Sequence, residues 1–154
     1  MANNDDQIGK LQKKYGTRAV DNAARLHPRD FAKEMSWRDE MDPHYTRLCL
    51  DFTYGGLMTR GVLSERVRLL VVIAQCVAMA EMDYLESSLR AALNEGVSPR
   101  EVLEIILQTS VYVGMPKINR AARLFPGIIT ELGRMQELTK TQLPIQGRNA
   151  DRSL

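Results

Sequence analysis

The sequence is poor in the residues that build disulfides and metal sites. It has two cysteines, Cys49 and Cys76, and two histidines, and the cysteines form no C-x-x-C pair. A structural zinc site needs four clustered ligands, which this spacing does not supply. We therefore expect no metal and no disulfide, and we interpret both cysteines as small apolar residues of a core.

Strong charge of one sign is also lacking. The net charge is +2, and no dense basic run follows Lys13-Lys14. This balance argues against nucleic acid and anionic membranes as partners. No apolar run reaches the roughly 18 residues of a membrane-spanning helix. The polar, acidic start of the chain is not typical of a secretory signal, so we expect a cytoplasmic protein.

What remains is a chain of 154 residues with 44% hydrophobic residues, enough for one domain with its own core. Apolar residues recur at three- and four-residue steps in four segments, which predicts helices. The predicted helices are Asp42 to Tyr54, Ser64 to Leu93, Ser98 to Val113 and Lys117 to Leu138.

Capping residues support these limits. Pro43 suits a first helical turn, and Ser98 with Pro99 and Glu101 is typical of a capping box. Gly96 suits a left-handed position after a helix. Because residues 102–113 are apolar almost all round, we expect that segment to be buried in the fold or in an interface.

The ends of the chain carry weaker patterns. Asp6 to Tyr15 and Thr17 to Leu26 are predicted as short helices, whereas His27-Pro28 and Trp37 to Met41 look irregular. We divide the chain into an N-terminal helical arm (1–40), a helical domain (41–140) and a polar C-terminal tail (141–154). The arm could cover a pocket or exchange between subunits.

Four pieces of the sequence, in order and with matching gaps, are similar to motifs of one family. They are Tyr54-Gly55 with Thr59-Arg60, and the runs 63–70, 89–98 and 108–116. They resemble the motifs YG…SRPGL, L-x-x-R-x-R-x-L, IRAALNNGVT and LLQ-x-x-x-Y-x-G-x-P of the carboxymuconolactone decarboxylase family. The resemblance covers Met41 to Phe125 and implies an all-α, oligomeric fold, a trimer or hexamer with pockets near subunit contacts.

The chain departs from the family at its reactive positions. One branch uses C-x-x-C and a histidine, but those positions read Glu81, Tyr84 and Ser88, which excludes thiol chemistry of that kind. The decarboxylase branch carries Glu, Trp and His where this chain has Gly56, Met58 and Ser88. The scaffold is kept while the reactive groups differ.

Candidate catalytic residues follow from these positions. Glu81, Tyr84 and Ser88 are three and four residues apart, so one helix face would carry all three. A buried Glu81 would hold its proton more tightly and serve as acid or base, unless it pairs with a core arginine. Tyr84 is a candidate proton donor or a packing aromatic, and Ser88 would only position substrate. His44, at a helix start, is a candidate base or a surface histidine.

Arginines are the candidates for binding substrate, because the family implies small di- or tricarboxylates and guanidinium binds carboxylate through two bonds. Arg60 and Arg68 have the best positions in the motifs, and Arg120 is weaker. Tyr54 and Tyr112 are placed in the same pocket. Each arginine could instead form a surface ion pair.

Three functions are compatible with these residues. The first is a cofactor-independent enzyme of aromatic-compound breakdown that isomerises a muconate-like dienoate or muconolactone, by proton transfer or cis–trans rotation. The second is decarboxylation of a carboxymuconolactone-type substrate. The third is a non-catalytic oligomeric binding protein, which predicts no pocket with converging arginines.

Overall fold

The computed structural model describes residues 4–27, 29 and 31–139, and its regular structure there is entirely helical. This confirms the all-α prediction; the predicted tail 141–154 lies outside the described residues. None of the described helices is long and apolar enough to cross a membrane. The helices are α1 Asn4–Tyr15, α2 Thr17–Leu26, α3 Phe31–Met41, α4 Pro43–Cys49, a π-helical segment Leu50–Gly56, a 3-10 turn Leu57–Thr59, α5 Glu65–Met79, α6 Met82–Asn94, α7 Pro99–Val113, α8 Met115–Glu131 and α9 Met135–Thr139.

One hydrophobic core joins the first forty residues to the rest of the chain. Val20 of α2, Ile73 of α5, Leu89 of α6 and Phe125 of α8 are all fully buried within one cluster. Helix α2 packs against the π-helical segment and α6, while α5 packs against α6 and α7. The N-terminal helices are therefore part of the layer around the core.

The predicted helix starts at Pro43 and Ser98 are confirmed. The Asp42 carboxylate accepts a bond from the backbone N–H of His44, and Pro43 follows at the first helical position. Ser98 and Glu101 form both bonds of the capping box. These local bonds satisfy backbone donors that have no partner inside the helix.

The prediction of one helix from Ser64 to Leu93 is wrong. Ala80 adopts a left-handed conformation with φ 62°, which ends α5 at Met79 and starts α6 at Met82. The backbone N–H of Glu81 then bonds to the carbonyl of Cys76 at 3.0 Å. Such a helix end commonly uses glycine, and an alanine there leaves little trace in the sequence.

Two smaller expectations are also corrected. Trp37 to Met41 is helical and belongs to α3. The sequence pattern did not show this helix because Arg38 lies on its buried face and interrupts the apolar period. The fourth predicted helix divides into α8 and α9 at Gly133, whose φ is 68°. Residues 102–113 were expected to be buried in the fold or in an interface. The fold alone does not bury them all round, since Val111 and Tyr112 are 72% and 82% exposed in the single chain. Burial in an interface stays a prediction.

Replacing Ala80 with glycine is expected to raise the free energy of unfolding by about 0.5–1 kcal/mol. A left-handed alanine costs about 1–2 kcal/mol, and the extra freedom that glycine has in the unfolded chain offsets part of the gain. Urea denaturation measures the change. The matched control is Ala74→Gly inside α5, which should lower stability by about 1 kcal/mol; equal losses in both variants would contradict the strain at Ala80.

Candidate active site

A cavity of about 320 Å³ lies where α3, α6 and the π-helical segment meet the end of α2. Its walls combine apolar, hydroxyl and charged side chains, as small-molecule sites commonly do. They are His27, Phe31, Glu34, Met35, Arg38, Cys49, Tyr54, Glu81, Asp83, Tyr84 and Ser87.

Helix geometry explains why these side chains converge. In α3, Phe31, Glu34, Met35 and Arg38 recur at three- and four-residue steps, so they share the face turned to the cavity. The first turns of α6 bring four more residues, from Glu81 to Ser87. The break at Ala80 sets where α6 begins.

His27 sits between two hydroxyl groups. Its Nδ1 is 2.6 Å from the Ser87 Oγ, and its Nε2 is 2.8 Å from the Tyr54 phenolic oxygen. The His27 and Tyr54 rings meet edge to face, with centroids 5.7 Å apart. A neutral imidazole has one donor and one acceptor nitrogen, so the proton can lie towards either hydroxyl. We call Ser87, His27 and Tyr54 the hydroxyl–imidazole chain.

Tyr54 keeps its proton at neutral pH. Its side chain is buried, and burial raises the pKa of the phenol far above its ordinary value of 10.0. The Asn22 side-chain amide donates to the Tyr54 backbone carbonyl at 3.1 Å, which ties the π-helical segment to α2. Tyr54 therefore keeps a protonated hydroxyl, which donates to His27 or accepts from it according to the imidazole tautomer.

Arg38 places a cation in the same cavity. It is 7% exposed, and its Nη1 donates to the Glu34 backbone carbonyl at 3.0 Å. Its Nη2 lies 3.2 Å from the Glu34 carboxylate and 3.4 Å from the Tyr84 hydroxyl. Among the described residues its Nε is buried with no hydrogen-bond partner. The guanidinium thus has donors in excess of its protein partners.

The charge of Arg38 is retained despite burial. Burial works to lower the pKa of the guanidinium, but a hydrogen bond with Tyr45 and the nearby Tyr84 and Glu34 raise it overall. Trp37 also covers the guanidinium, 4.7 Å from the ring centroid. Arg38 is therefore a fixed positive charge that can bind a carboxylate or an enolate oxygen.

The other charges of the cavity are negative. Glu34 pairs with Arg38, while Glu81 and Asp83 form no ion pair within the described ranges. Both are exposed at the start of α6. One guanidinium thus faces three carboxylates.

The sulfur atoms and carboxylates offer no evident metal site. Cys49, half-buried, lines the cavity, and Cys76 is buried; both are free thiols. Burial raises the pKa of the Cys76 thiol, so it stays protonated. Within residues 4–27, 29 and 31–139, no group of three or more His, Cys, Asp or Glu side chains could hold a metal ion.

Three of the predicted site residues line this cavity: Glu81, Tyr84 and Tyr54. The expectation that Glu81 is buried is wrong, because the break at Ala80 makes it the exposed residue at the N-terminus of α6. Tyr84 is half-exposed and within reach of Arg38. The roles assigned to these residues remain predictions.

The other predicted site residues lie outside the lining. His44 is exposed at the start of α4, and Arg60 and Arg120 are exposed. Arg68 donates to the Arg60 backbone carbonyl at 2.7 Å. Ser88 is buried and donates to the Tyr84 carbonyl, and Tyr112 lines a separate apolar groove between α5 and α7.

The sequence analysis did not identify His27, Arg38 and Ser87. His27 precedes a proline and was given no role, and Ser87 is adjacent to the residue chosen from the motif. A signal did exist for Arg38, which follows Phe31 by seven residues and Met35 by three. An arginine on an apolar helix stripe needs a buried partner or a ligand.

Comparison with known proteins places most of this architecture in one family. Residues 43–125 match the model of the carboxymuconolactone decarboxylase family. A 4-carboxymuconolactone decarboxylase of Acinetobacter baylyi is 37% identical over 82 residues, which are 53% of this chain and 61% of the relative. The aligned part of the chain thus spans less than two thirds of the relative. His27 and α3 precede the matched residues.

Proposed function

Because the chain belongs to the carboxymuconolactone decarboxylase family, we propose that it is an enzyme that releases carbon dioxide from a small carboxylated ring-fission product of an aromatic compound. The observation that carries the proposal is a single cavity that joins a buried guanidinium to a histidine held between two hydroxyls. The similarity to a decarboxylase favours loss of carbon dioxide over the isomerisation that the sequence analysis placed first.

Arg38 is proposed to bind and stabilise the reacting anion. When the bond to the carboxyl carbon breaks, its electron pair moves into the conjugated system and onto a carbonyl oxygen, which gives a dienolate. A fixed guanidinium and the Tyr84 hydroxyl beside it can donate to that oxygen. Donors that are already oriented in a cavity stabilise such charge more than water does.

The hydroxyl–imidazole chain is proposed to supply the proton that replaces carbon dioxide. The dienolate carbon takes one proton from the hydroxyl of Tyr54 or Ser87, and that oxygen takes the proton of the His27 nitrogen facing it. The opposite nitrogen takes the proton of the other hydroxyl, and that oxygen takes a proton from solvent, so the net change is one proton gained and one carbon dioxide lost. These proposed proton transfers require no cofactor.

Isomerisation is the second candidate, and the same chain favours it. Two hydroxyls on opposite nitrogens of one imidazole can remove a proton from one carbon and return it to another. Glu81, at the cavity mouth, is an additional candidate base. This reaction passes through the same dienolate and leaves the substrate mass unchanged.

A homo-oligomer, trimer or hexamer, remains part of the proposal. Exposed apolar residues of α5 and α7, Val71 and Tyr112 among them, line an apolar groove between the two helices. An apolar face of this kind is typical of a contact between subunits.

The test is incubation with carboxymuconolactones and open-chain carboxylated dienoates, followed by mass and NMR analysis of the products. A product lighter by one carbon dioxide supports decarboxylation. A new product of unchanged mass supports isomerisation in place of decarboxylation. No turnover of any compound would contradict both and favour a non-catalytic binding protein.

A further inference from the structure

A carboxylate of the protein already occupies the guanidinium that is proposed to bind substrate. The Glu34 Oε2 atom lies 3.2 Å from Arg38 Nη2 and accepts a hydrogen bond from the Trp37 indole N–H at 3.0 Å. Glu34 and Arg38 both line the cavity. A substrate carboxylate that approaches Arg38 Nη2 therefore meets a nitrogen that is already paired with a negative charge.

Arg38 is held in place by contacts that do not use the Glu34 carboxylate. Its Nη1 donates to the Glu34 backbone carbonyl at 3.0 Å, and the Trp37 ring covers the guanidinium, 4.7 Å from the ring centroid. The Arg38 side chain is also nine-tenths buried among its neighbours. These contacts persist when only the end of the Glu34 side chain changes. The Glu34 carboxylate therefore neutralises the guanidinium more than it orients it.

The two partners of this ion pair differ in exposure. The Glu34 side chain is partly exposed, whereas that of Arg38 is buried. A carboxylate that reaches solvent recovers water when it leaves its partner, so breaking the pair costs Glu34 little. The buried guanidinium has no such compensation and needs another anion in place of Glu34. These differences favour departure of Glu34 only when a second carboxylate arrives.

Tyr84 offers an additional donor to the arriving carboxylate. Its hydroxyl lies 3.4 Å from the same Nη2 atom and lines the same cavity. A substrate carboxylate that replaces Glu34 at Nη2 can therefore accept from both the guanidinium and the Tyr84 hydroxyl. Two carboxylates at one nitrogen would repel each other over a few ångströms. Exchange of Glu34 for the substrate is therefore favoured over binding of both.

We propose that Glu34 is a specificity-determining residue that occupies Arg38 before substrate binds and yields it to the substrate carboxylate. The inference rests on the proposed function, since it concerns the carboxylate site of the same cavity. By competing for one guanidinium, the Glu34 carboxylate lowers the affinity for charged ligands. It thereby also reduces the preference of the cavity for a carboxylate over an uncharged group of similar shape.

The experiment measures binding of 2,4-hexadienedioate and of its uncharged dimethyl ester to the full chain by titration calorimetry. In Glu34→Gln the dissociation constant of the dicarboxylate should fall about three- to tenfold at low ionic strength, because the competing charge is removed. The dissociation constant of the diester should change by less than about twofold, because the diester has no charge for Glu34 to repel. An unchanged or weaker affinity for the dicarboxylate, or equal gains for both compounds, would overturn the inference.

A matched variant tests whether the gain belongs to Glu34. Glu104→Gln removes an exposed carboxylate of α7 that lies outside the cavity lining. It changes the net charge of the protein by the same amount and should leave both dissociation constants as they are in the wild type. A gain equal to that of Glu34→Gln would assign the effect to net charge and contradict competition at Arg38.

Arg38→Gln separates this inference from the proposed function. In that variant, adding Glu34→Gln should no longer tighten dicarboxylate binding, because no guanidinium remains to be shared; the same gain without Arg38 would refute the exchange. If Arg38→Gln and Glu34→Gln each weaken binding, the exchange is wrong and the proposed carboxylate site stands. If the wild type binds no dicarboxylate, or Arg38→Gln leaves its affinity unchanged, that site itself is wrong and the inference falls with it.

Discussion

Replacing Arg38 with glutamine is expected to lower kcat/KM by at least about 100-fold, the loss typical of removing one donor that stabilises an oxyanion. Glutamine keeps part of the length of the side chain but removes the positive charge and the guanidinium fork. The described lining would then keep the carboxylates of Glu34, Glu81 and Asp83 without the guanidinium. Steady-state kinetics with the substrate found by product analysis measures the loss.

Two control variants distinguish the loss of the Arg38 guanidinium from a folding defect. Arg38→Lys keeps the charge but lacks the planar fork, so it should recover only part of the activity. Arg18→Gln removes an exposed arginine outside the cavity lining and should retain full activity. Circular dichroism shows whether each variant is folded. A folded Arg38→Gln protein with unchanged kcat/KM would refute the proposed role.

Replacing His27 with asparagine is expected to lower kcat about 10²- to 10⁴-fold, the usual range for loss of a general acid or base. KM should change little, because Arg38 still binds the substrate anion. A folded variant with an unaltered kcat would exclude His27 from proton transfer.

The two hydroxyl groups that contact His27 can be removed one at a time. Tyr54→Phe and Ser87→Ala each remove one oxygen from the hydroxyl–imidazole chain. If one hydroxyl delivers the proton to carbon, that variant should lose nearly as much kcat as His27→Asn, and the other should lose less. Equal and small losses of kcat in both variants would mean that His27 transfers protons through solvent and not through either hydroxyl.

Local sequence signals predicted much of the fold. The caps at Asp42 and Ser98 depend on bonds between neighbouring residues, and the structure has both. The break after α5 was missed because Ala80, which has a left-handed conformation, is an alanine, a residue common inside helices. Helix α3 was missed in part because Arg38 occupies its buried face.

The site was less predictable than the fold. Motif positions led to Glu81, Tyr84 and Tyr54, which do line the cavity, but also to Arg60 and Arg68, which do not. His27 comes within 2.8 Å of Tyr54 although 27 residues separate them in the chain. Such a contact results from the packing of α2 against the π-helical segment. The spacing of residues along the chain does not predict it.

The first residue of the family match, residue 43, separates the two halves of this cavity. His27 and α3 lie before it, and Tyr54 and α6 lie after it. Substitutions at a few positions between residues 27 and 38 could therefore change the reaction while the shared scaffold stays as it is. Two relatives that agree throughout the matched segment could differ in substrate. The matched segment alone is therefore not enough to assign a substrate, because it supplies only part of the cavity lining.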